Sequence, residues 1–257
     1  MRFLCLHGIG TNSQACIYSN FASASSSRPA SLLYKVLTSC RFSRPNCPIA
    51  DYIFAAALRY ELGDQHTYEF VEGTIPWPIA PEISNLFNPN DRYFSYFDPS
   101  SASSARDALH QLDEYIEAEG PFDGVLGFSL GACLAAMHII RKLRLDAGHT
   151  RPPPFKCAIF LSTVLVHDPV AIESGEIKVL DPKEAGQPIQ LPTVHIWGAN
   201  DPRKGDGELL RGLCDPQTAT GFIHGGMHEV PGLGTKVAVT ETVKAMRRGI
   251  SKASITR

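Results

Sequence analysis

The chain has 257 residues, 44% of them hydrophobic and 19% charged, with a formal net charge of −2. That composition suits one large buried core, and a near-neutral balance without clustered Lys and Arg argues against nucleic acid as a partner. Seven cysteines (Cys5, Cys16, Cys40, Cys47, Cys133, Cys157, Cys214) include no C-x-x-C pair, which argues against a disulfide framework or a zinc site and leaves reduced, mostly buried thiols as the expectation.

The N-terminal apolar run, Arg2–Leu6, is far shorter than a signal-peptide core, and no stretch of 18 apolar residues follows. An intracellular, cytoplasmic protein without membrane association is expected. The same run reads as a buried strand, delivering the loop His7-Gly8-Ile9-Gly10 to a site. Residues 19–31 are serine-rich and predict an exposed loop before a helix at 32–37, and residues 51–57 predict a second buried strand. From 61 to 103 the chain sets Pro76, Pro78, Pro81, Pro89 and Pro99 beside Tyr68, Phe70, Trp77, Phe87, Tyr93, Phe94, Tyr96 and Phe97. Prolines exclude a long regular element there, while so many rings need apolar cover from the domain or from a ligand. A cap-like insertion is expected, with Trp77, Tyr93 and Phe94 as candidate lining of a substrate pocket.

A helix is predicted at 104–118, opened by Ser104-x-x-Asp107 as a capping box. Gly124–Phe128 reads as a buried strand and 132–145 as an apolar helix. Further strands are predicted at 157–162, 193–197 and 221–224, all buried, and a last helix at 236–250 with Lys244, Arg247 and Arg248 on its solvated face. Six strands alternating with helices imply a mostly parallel sheet covered on both faces, in one domain spanning 1–257.

The turn between the third strand and its helix is Gly127-Phe128-Ser129-Leu130-Gly131. A serine in Gly-x-Ser-x-Gly at such a turn is a nucleophile candidate, because the strained elbow lifts its hydroxyl clear of the sheet, as in α/β-hydrolases. Acyl chemistry then needs a histidine to take the proton and a carboxylate to orient it, both C-terminal to the serine. Asp201, in Gly198-Ala199-Asn200-Asp201-Pro202 beyond a predicted strand, is the favoured acid over Asp168 and Asp206. His228, in the loop after the last strand, is favoured over His224 at that strand's end. The histidines that precede Asp201 are expected to be structural or exposed. For the oxyanion, the backbone N–H groups of Leu130, at a helix N-terminus, and of Ile9, in the glycine-bearing loop, are the expected donors.

Those residues resemble a known family, the fungal-type serine hydrolases of the FSH1 class, related to the ovarian-cancer-associated serine hydrolase. The resemblance runs through Phe3-Leu4-Cys5-Leu6-His7-Gly8, then Gly120-Pro121-Phe122-Asp123-Gly124-Val125-Leu126-Gly127-Phe128-Ser129 with Gly131-Ala132, then Gly198 with Asp201, and His228-x-Val230-Pro231. It implies a compact α/β-hydrolase fold, a Ser129, Asp201 and His228 triad, and ester or thioester hydrolysis without a cofactor or metal. Some members look like partners of fungal polyketide synthases that release acyl chains, which implies an acyl carrier protein as a partner. Two departures stand out. Leu130 occupies a position where the family usually carries glutamine, shifting the expected preference toward apolar substrates, and Met227 is an extra residue between the glycines and His228.

The expectation is an acyl hydrolase working through an acyl-serine on a small-molecule ester or acyl-thioester, plausibly a polyketide or another apolar acyl chain. Two other classes remain open at this point: a cyclase using His228 as a base without acyl transfer, and a non-catalytic ligand-binding protein on the same fold.

Overall fold

The computed structural model describes residues 1–12, 56–84, 88, 90–145, 153–231 and 236–255. The expected serine-rich loop at 19–31, the helix at 32–37 and residues 51–55 of the expected second strand lie outside the described residues, as do Cys16, Cys40 and Cys47. Ala56 and Ala57, the end of that expected strand, instead open a helix.

In chain order the elements are β1 (Arg2–Leu6), α1 (Ala56–Leu62), β2 (Thr67–Val71), β3 (Ile75–Pro76), β4 (Phe94–Ser95), α2 (Ala102–Glu119), β5 (Gly124–Phe128) and α3 (Leu130–Leu145). They continue with β6 (Cys157–Leu161), α4 (Pro169–Glu173), α5 (Pro182–Ala185), β7 (Thr193–Gly198), α6 (Lys204–Gly212), β8 (Thr220–His224) and α7 (Lys236–Ile255). Six strands form one sheet in the order β2-β1-β5-β6-β7-β8, and every pairing in it is parallel.

Alternation along the strands divides the core between two faces. Leu4 and Leu6 of β1 join Val125 of β5 and the apolar sides of α2 and α3, while Phe3 and Cys5 join Leu126, Leu58 of α1, and Val243 and Met246 of α7. Strands covered on both faces must be apolar throughout, which is why the central ones read as unbroken hydrophobic runs.

Three expectations are corrected. The strand beside β1 is β2, inside the segment expected to be a cap. Its sequence Thr-Tyr-Glu-Phe-Val carries a carboxylate where a buried strand is usually apolar. Glu69 is tolerated because Arg2 pairs with it and the Tyr115 hydroxyl donates to it at 2.5 Å. Next, α2 begins at Ala102 and its cap is Ser101, whose hydroxyl accepts the Ser104 N–H at 3.2 Å. Ser104 is thus the capped residue, and its own hydroxyl accepts the Asp98 N–H at 2.9 Å. Finally, β8 pairs with β7 alone among the described strands and is only partly covered, with Ile223 51% exposed.

Among its described residues the Pro-rich segment has no long regular element, in keeping with its prolines. It holds the short antiparallel pair β3 and β4 and one 3₁₀ turn at Pro81–Ile83. Its rings are largely buried in the domain itself: Tyr93, Tyr96 and Phe97 are all buried, and the last two belong to the core under α2. Among the described residues no helix is long and apolar enough to cross a membrane, and no cluster of side chains suits a metal ion.

Phe97 is fully buried (0% exposed). Phe97→Ala is expected to destabilise the fold by about 3–5 kcal/mol, read by urea unfolding. Tyr60→Ala, at a side chain 85% exposed, should change stability by less than about 0.5 kcal/mol.

Candidate active site

From β1 the chain passes to β2 on one side of the sheet, and later returns to β5 on the other. Ligand sites in open parallel sheets form beyond the carboxyl ends of strands at such a switch point. Two sequence motifs converge there, the loop after β1 and the turn after β5.

Ser129 occupies that turn at φ 53°, a left-handed conformation that ordinary residues seldom adopt. Its N–H donates to the Leu161 carbonyl at 2.9 Å, and its own carbonyl accepts from Ala132 and Cys133, each at 3.1 Å, so the turn is fixed on both sides. The glycine two residues on is a packing requirement, since a Cβ on Gly131 would overlap the carbonyl oxygens of Leu6 and His7 at the end of β1.

His228 Nε2 lies 3.0 Å from Ser129 Oγ, and His228 Nδ1 lies 2.9 Å from Asp201 Oδ2. A carboxylate only accepts, so Nδ1 carries the imidazole proton and Nε2 presents its lone pair to the serine hydroxyl. Asp201 is 1% exposed. Its second oxygen accepts the Arg203 N–H at 2.7 Å, which satisfies a buried carboxylate on both sides. The ring of Phe128 lies 5.4 Å from that of His228, giving the imidazole an apolar flank.

The loops that carry the acid and the histidine are laced together. Ala199 N–H donates to His224 O at 2.7 Å, Asn200 N–H to Gly226 O at 3.1 Å, and the Asn200 side-chain amide to Gly225 O at 2.8 Å. Gly198 permits this approach, because a Cβ there would overlap the carbonyl oxygens of Gly226 and Met227. Below the histidine loop, the Ser162 hydroxyl donates to Glu229 O at 3.3 Å. Met227, expected to be an extra residue, lies in the loop with its side chain 53% exposed, and His228 reaches Ser129. Asn200, Ser162 and Gly198 as organisers were not legible in the sequence beyond the adjacency of the first and last to Asp201.

The rival candidates are engaged elsewhere. Asp168 caps α4, accepting the Val170 N–H at 2.9 Å, and pairs with Arg144 at 2.6 Å. Asp206 lies in the first turn of α6, 3.6 Å from Arg203. His224 is buried, its Nδ1 accepts the Gly226 N–H at 3.2 Å, and burial lowers its pKa, so it braces the loop. His195 is driven down to about 3 by burial, and its Nε2 lies 3.0 Å from Thr193 Oγ1. His138 lies 3.0 Å from Asp113 between α2 and α3, and His149 is outside the described residues. Burial pushes the Cys133 thiol up to about 12, leaving it no nucleophilic thiolate next to the serine turn.

Leu130 is the first residue of α3, and its N–H is among the first-turn donors that no intrahelical carbonyl can satisfy. Ile9 lies in the loop facing that turn, where Gly8 packs against Phe128 and Ser129. The neighbouring Gly10 N–H is taken by the Phe94 carbonyl at 2.9 Å. Of the expected pocket residues, Tyr93 is buried with its hydroxyl donating to Asn88 O at 2.8 Å, while Phe94 and Trp77 are half-buried. A serine hydroxyl, an imidazole in the right tautomer and a buried carboxylate in one hydrogen-bonded line can together ionise the hydroxyl as it attacks a carbonyl.

The family model described as serine hydrolase (FSH1) matches residues 51–239. Esterase FPY3 of Fusarium mangiferae is 38% identical, the match covering 98% of this chain and 96% of its own. Esterase OVCA2 of Bos taurus is 29% identical over 55% of this chain and 57% of its own. Among solved structures, a carboxylesterase from Mesorhizobium loti aligns with a TM-score of 0.51 at 15% identity, covering 97% of this chain and 88% of that one. At that identity the likeness speaks for the fold, which is that of the α/β-hydrolases. The chain belongs to the FSH1 family of serine hydrolases, as the family match over 51–239 and the nearly full-length likeness to a fungal esterase establish.

Proposed function

We propose that this hydrolase cleaves an ester or thioester through an acyl-serine intermediate, with Ser129 as nucleophile, His228 as general base and acid, and Asp201 as the group that orients the imidazole. The observation that carries this reading is the unbroken line from Asp201 Oδ2 through His228 to Ser129 Oγ, at 2.9 and 3.0 Å.

As Ser129 Oγ attacks the carbonyl carbon, its proton passes to His228 Nε2 and the carbonyl electrons move onto oxygen. The backbone N–H groups of Leu130 and Ile9 hold that oxyanion, each donor being worth about 10²–10³ in kcat. Collapse expels the alcohol or thiol, which takes the proton from His228. A water molecule then repeats the sequence on the acyl-enzyme, giving the acid and restoring Ser129. Every step uses groups of this chain and water, so the mechanism calls for no cofactor.

The substrate reading is an apolar acyl group of the polyketide kind, presented as a small-molecule ester or as a thioester on an acyl carrier protein. Half-buried Trp77 and Phe94 support the apolar preference, and the esterase names of the fungal relatives support the reaction class. The Pro-rich segment is taken as part of the same single domain as the sheet, with Tyr96 and Phe97 in the core. The four described cysteines are all free and buried, which supports a reducing, cytoplasmic setting.

Treatment with a fluorophosphonate should add one adduct to the wild type by intact mass and none to Ser129→Ala. That variant should lose on the order of 10⁶ in hydrolysis of a p-nitrophenyl ester. Persistent turnover in it would instead indicate base-only chemistry, and an unlabelled, folded wild type would indicate a binding protein. Across esters and thioesters of increasing chain length, kcat/KM should climb by up to about fourfold per methylene buried. A flat series would remove the apolar-pocket assignment.

A further inference from the structure

A backbone N–H serves an oxyanion only if its peptide plane is aimed and kept still. The Ile9 N–H belongs to the same peptide unit as the Gly8 carbonyl. In a planar trans peptide the two point in opposite directions, so whatever holds the Gly8 oxygen aims the Ile9 N–H.

Two side chains hold that oxygen. His7 Nδ1 lies 2.7 Å from Gly8 O, and the Thr11 hydroxyl donates to Gly8 O at 2.7 Å. The tautomer follows from the other end of the ring, where the Gly73 N–H donates to His7 Nε2 at 2.9 Å. A nitrogen that accepts has no proton, so the proton sits on Nδ1 and is donated toward Gly8 O. Burial holds the imidazole neutral, with its pKa lowered to about 4. The His7 backbone is also tied, its N–H donating to the Tyr96 hydroxyl at 2.9 Å, which in turn donates to Val71 O at 2.7 Å.

Beyond Ile9 the loop is fastened again. Gly10 N–H donates to Phe94 O at 2.9 Å, Ala80 N–H to Gly10 O at 2.9 Å, and Phe94 N–H to Thr11 O at 2.8 Å. The loop after β1 is thus bridged at Thr11 to Phe94 of the Pro-rich segment. His7 secures it on one side of the Gly8–Ile9 peptide, and Gly10 with Thr11 on the other. Two donors on one carbonyl also polarise its peptide and strengthen the N–H at the far end.

We infer that His7 is a positioning residue of this hydrolase: anchored by Gly73 of the Pro-rich segment, its Nδ1–H grips the Gly8 carbonyl, with Thr11, and thereby aims the Ile9 N–H at the oxyanion. The inference rests on the acyl-serine reading, in which Ile9 is an oxyanion donor. It gives the Pro-rich segment a function besides cover, as the scaffold against which the oxyanion loop is set.

The test compares wild type, His7→Ala, His7→Asn and Thr11→Val in steady-state hydrolysis of a p-nitrophenyl ester and in affinity for an alkyl trifluoromethyl ketone. Addition of Ser129 Oγ to that ketone forms a hemiketal whose oxygen occupies the oxyanion position. His7→Ala should lower kcat by about 10–100-fold, short of full loss of the donor, with KM within about threefold. The ketone should bind more weakly by the same factor. His7→Asn keeps an N–H at the δ position and should recover most of kcat, while Thr11→Val should show the same pattern at about 3–10-fold. A purely structural histidine would not tie kcat to ketone affinity. Unchanged kcat in His7→Ala, a loss confined to KM, or unaltered ketone affinity would each overturn the inference. If His7→Ala does not fold, Thr11→Val decides by the same readouts, an unchanged kcat there counting against it. Failure of the underlying acyl-serine reading shows separately, as wild-type protein that forms no hemiketal at all.

Discussion

The left-handed turn at Ser129 is a cost that the surrounding structure must offset, since a non-glycine residue held there gives up about 1–3 kcal/mol. It persists because β5 and α3 leave it no alternative. The serine N–H is bonded to the end of β6, its carbonyl to the first turn of α3, and the glycine after it lies against the end of β1 where no side chain would fit. Much else in the site follows from that pinch. The hydroxyl is lifted out of the sheet, the helix N-terminus points at the same space, and the loop after β1 is brought within reach of both.

Asp201 and His228 reach the serine by a separate route. β7 and β8 end side by side, and the loops leaving them are bonded through Ala199 and Asn200 before they diverge. The distance between Asp201 and His228 is therefore set by backbone, and the glycine at 198 allows the two loops to touch. Met227 lies beyond those bonds with its side chain exposed, and the imidazole stands in line with both partners.

Burial sorts the other reactive groups. Desolvation lowers the pKa of His7, His195 and His224 and raises that of the Cys133 thiol, so none of them carries the charge that competing chemistry would need. His228 differs in standing between a buried carboxylate and a hydroxyl, 2.9 and 3.0 Å from them.

The sequence by itself determined the layered α/β class and five of the six sheet strands, and it singled out Ser129, Asp201 and His228, which the fold brings into one hydrogen-bonded line. Each of those signals is local: unbroken apolar runs, a glycine-flanked serine at a strand-to-helix turn, polar residues just past strand ends. Strand β2 was missed because Glu69 breaks its apolar run, and only Arg2 and Tyr115, distant in sequence, make that carboxylate acceptable. The start of α2 was misjudged by a few residues because several serines there can each serve as a cap, and β8 was overestimated in burial because an edge position depends on the whole sheet. The grip of His7 on Gly8 and the lacing by Asn200 were invisible for the same reason. Tertiary structure alone decided them, since a hydrogen bond between residues 66 positions apart, as from Gly73 to His7, depends on where the fold brings two backbones and not on either local pattern.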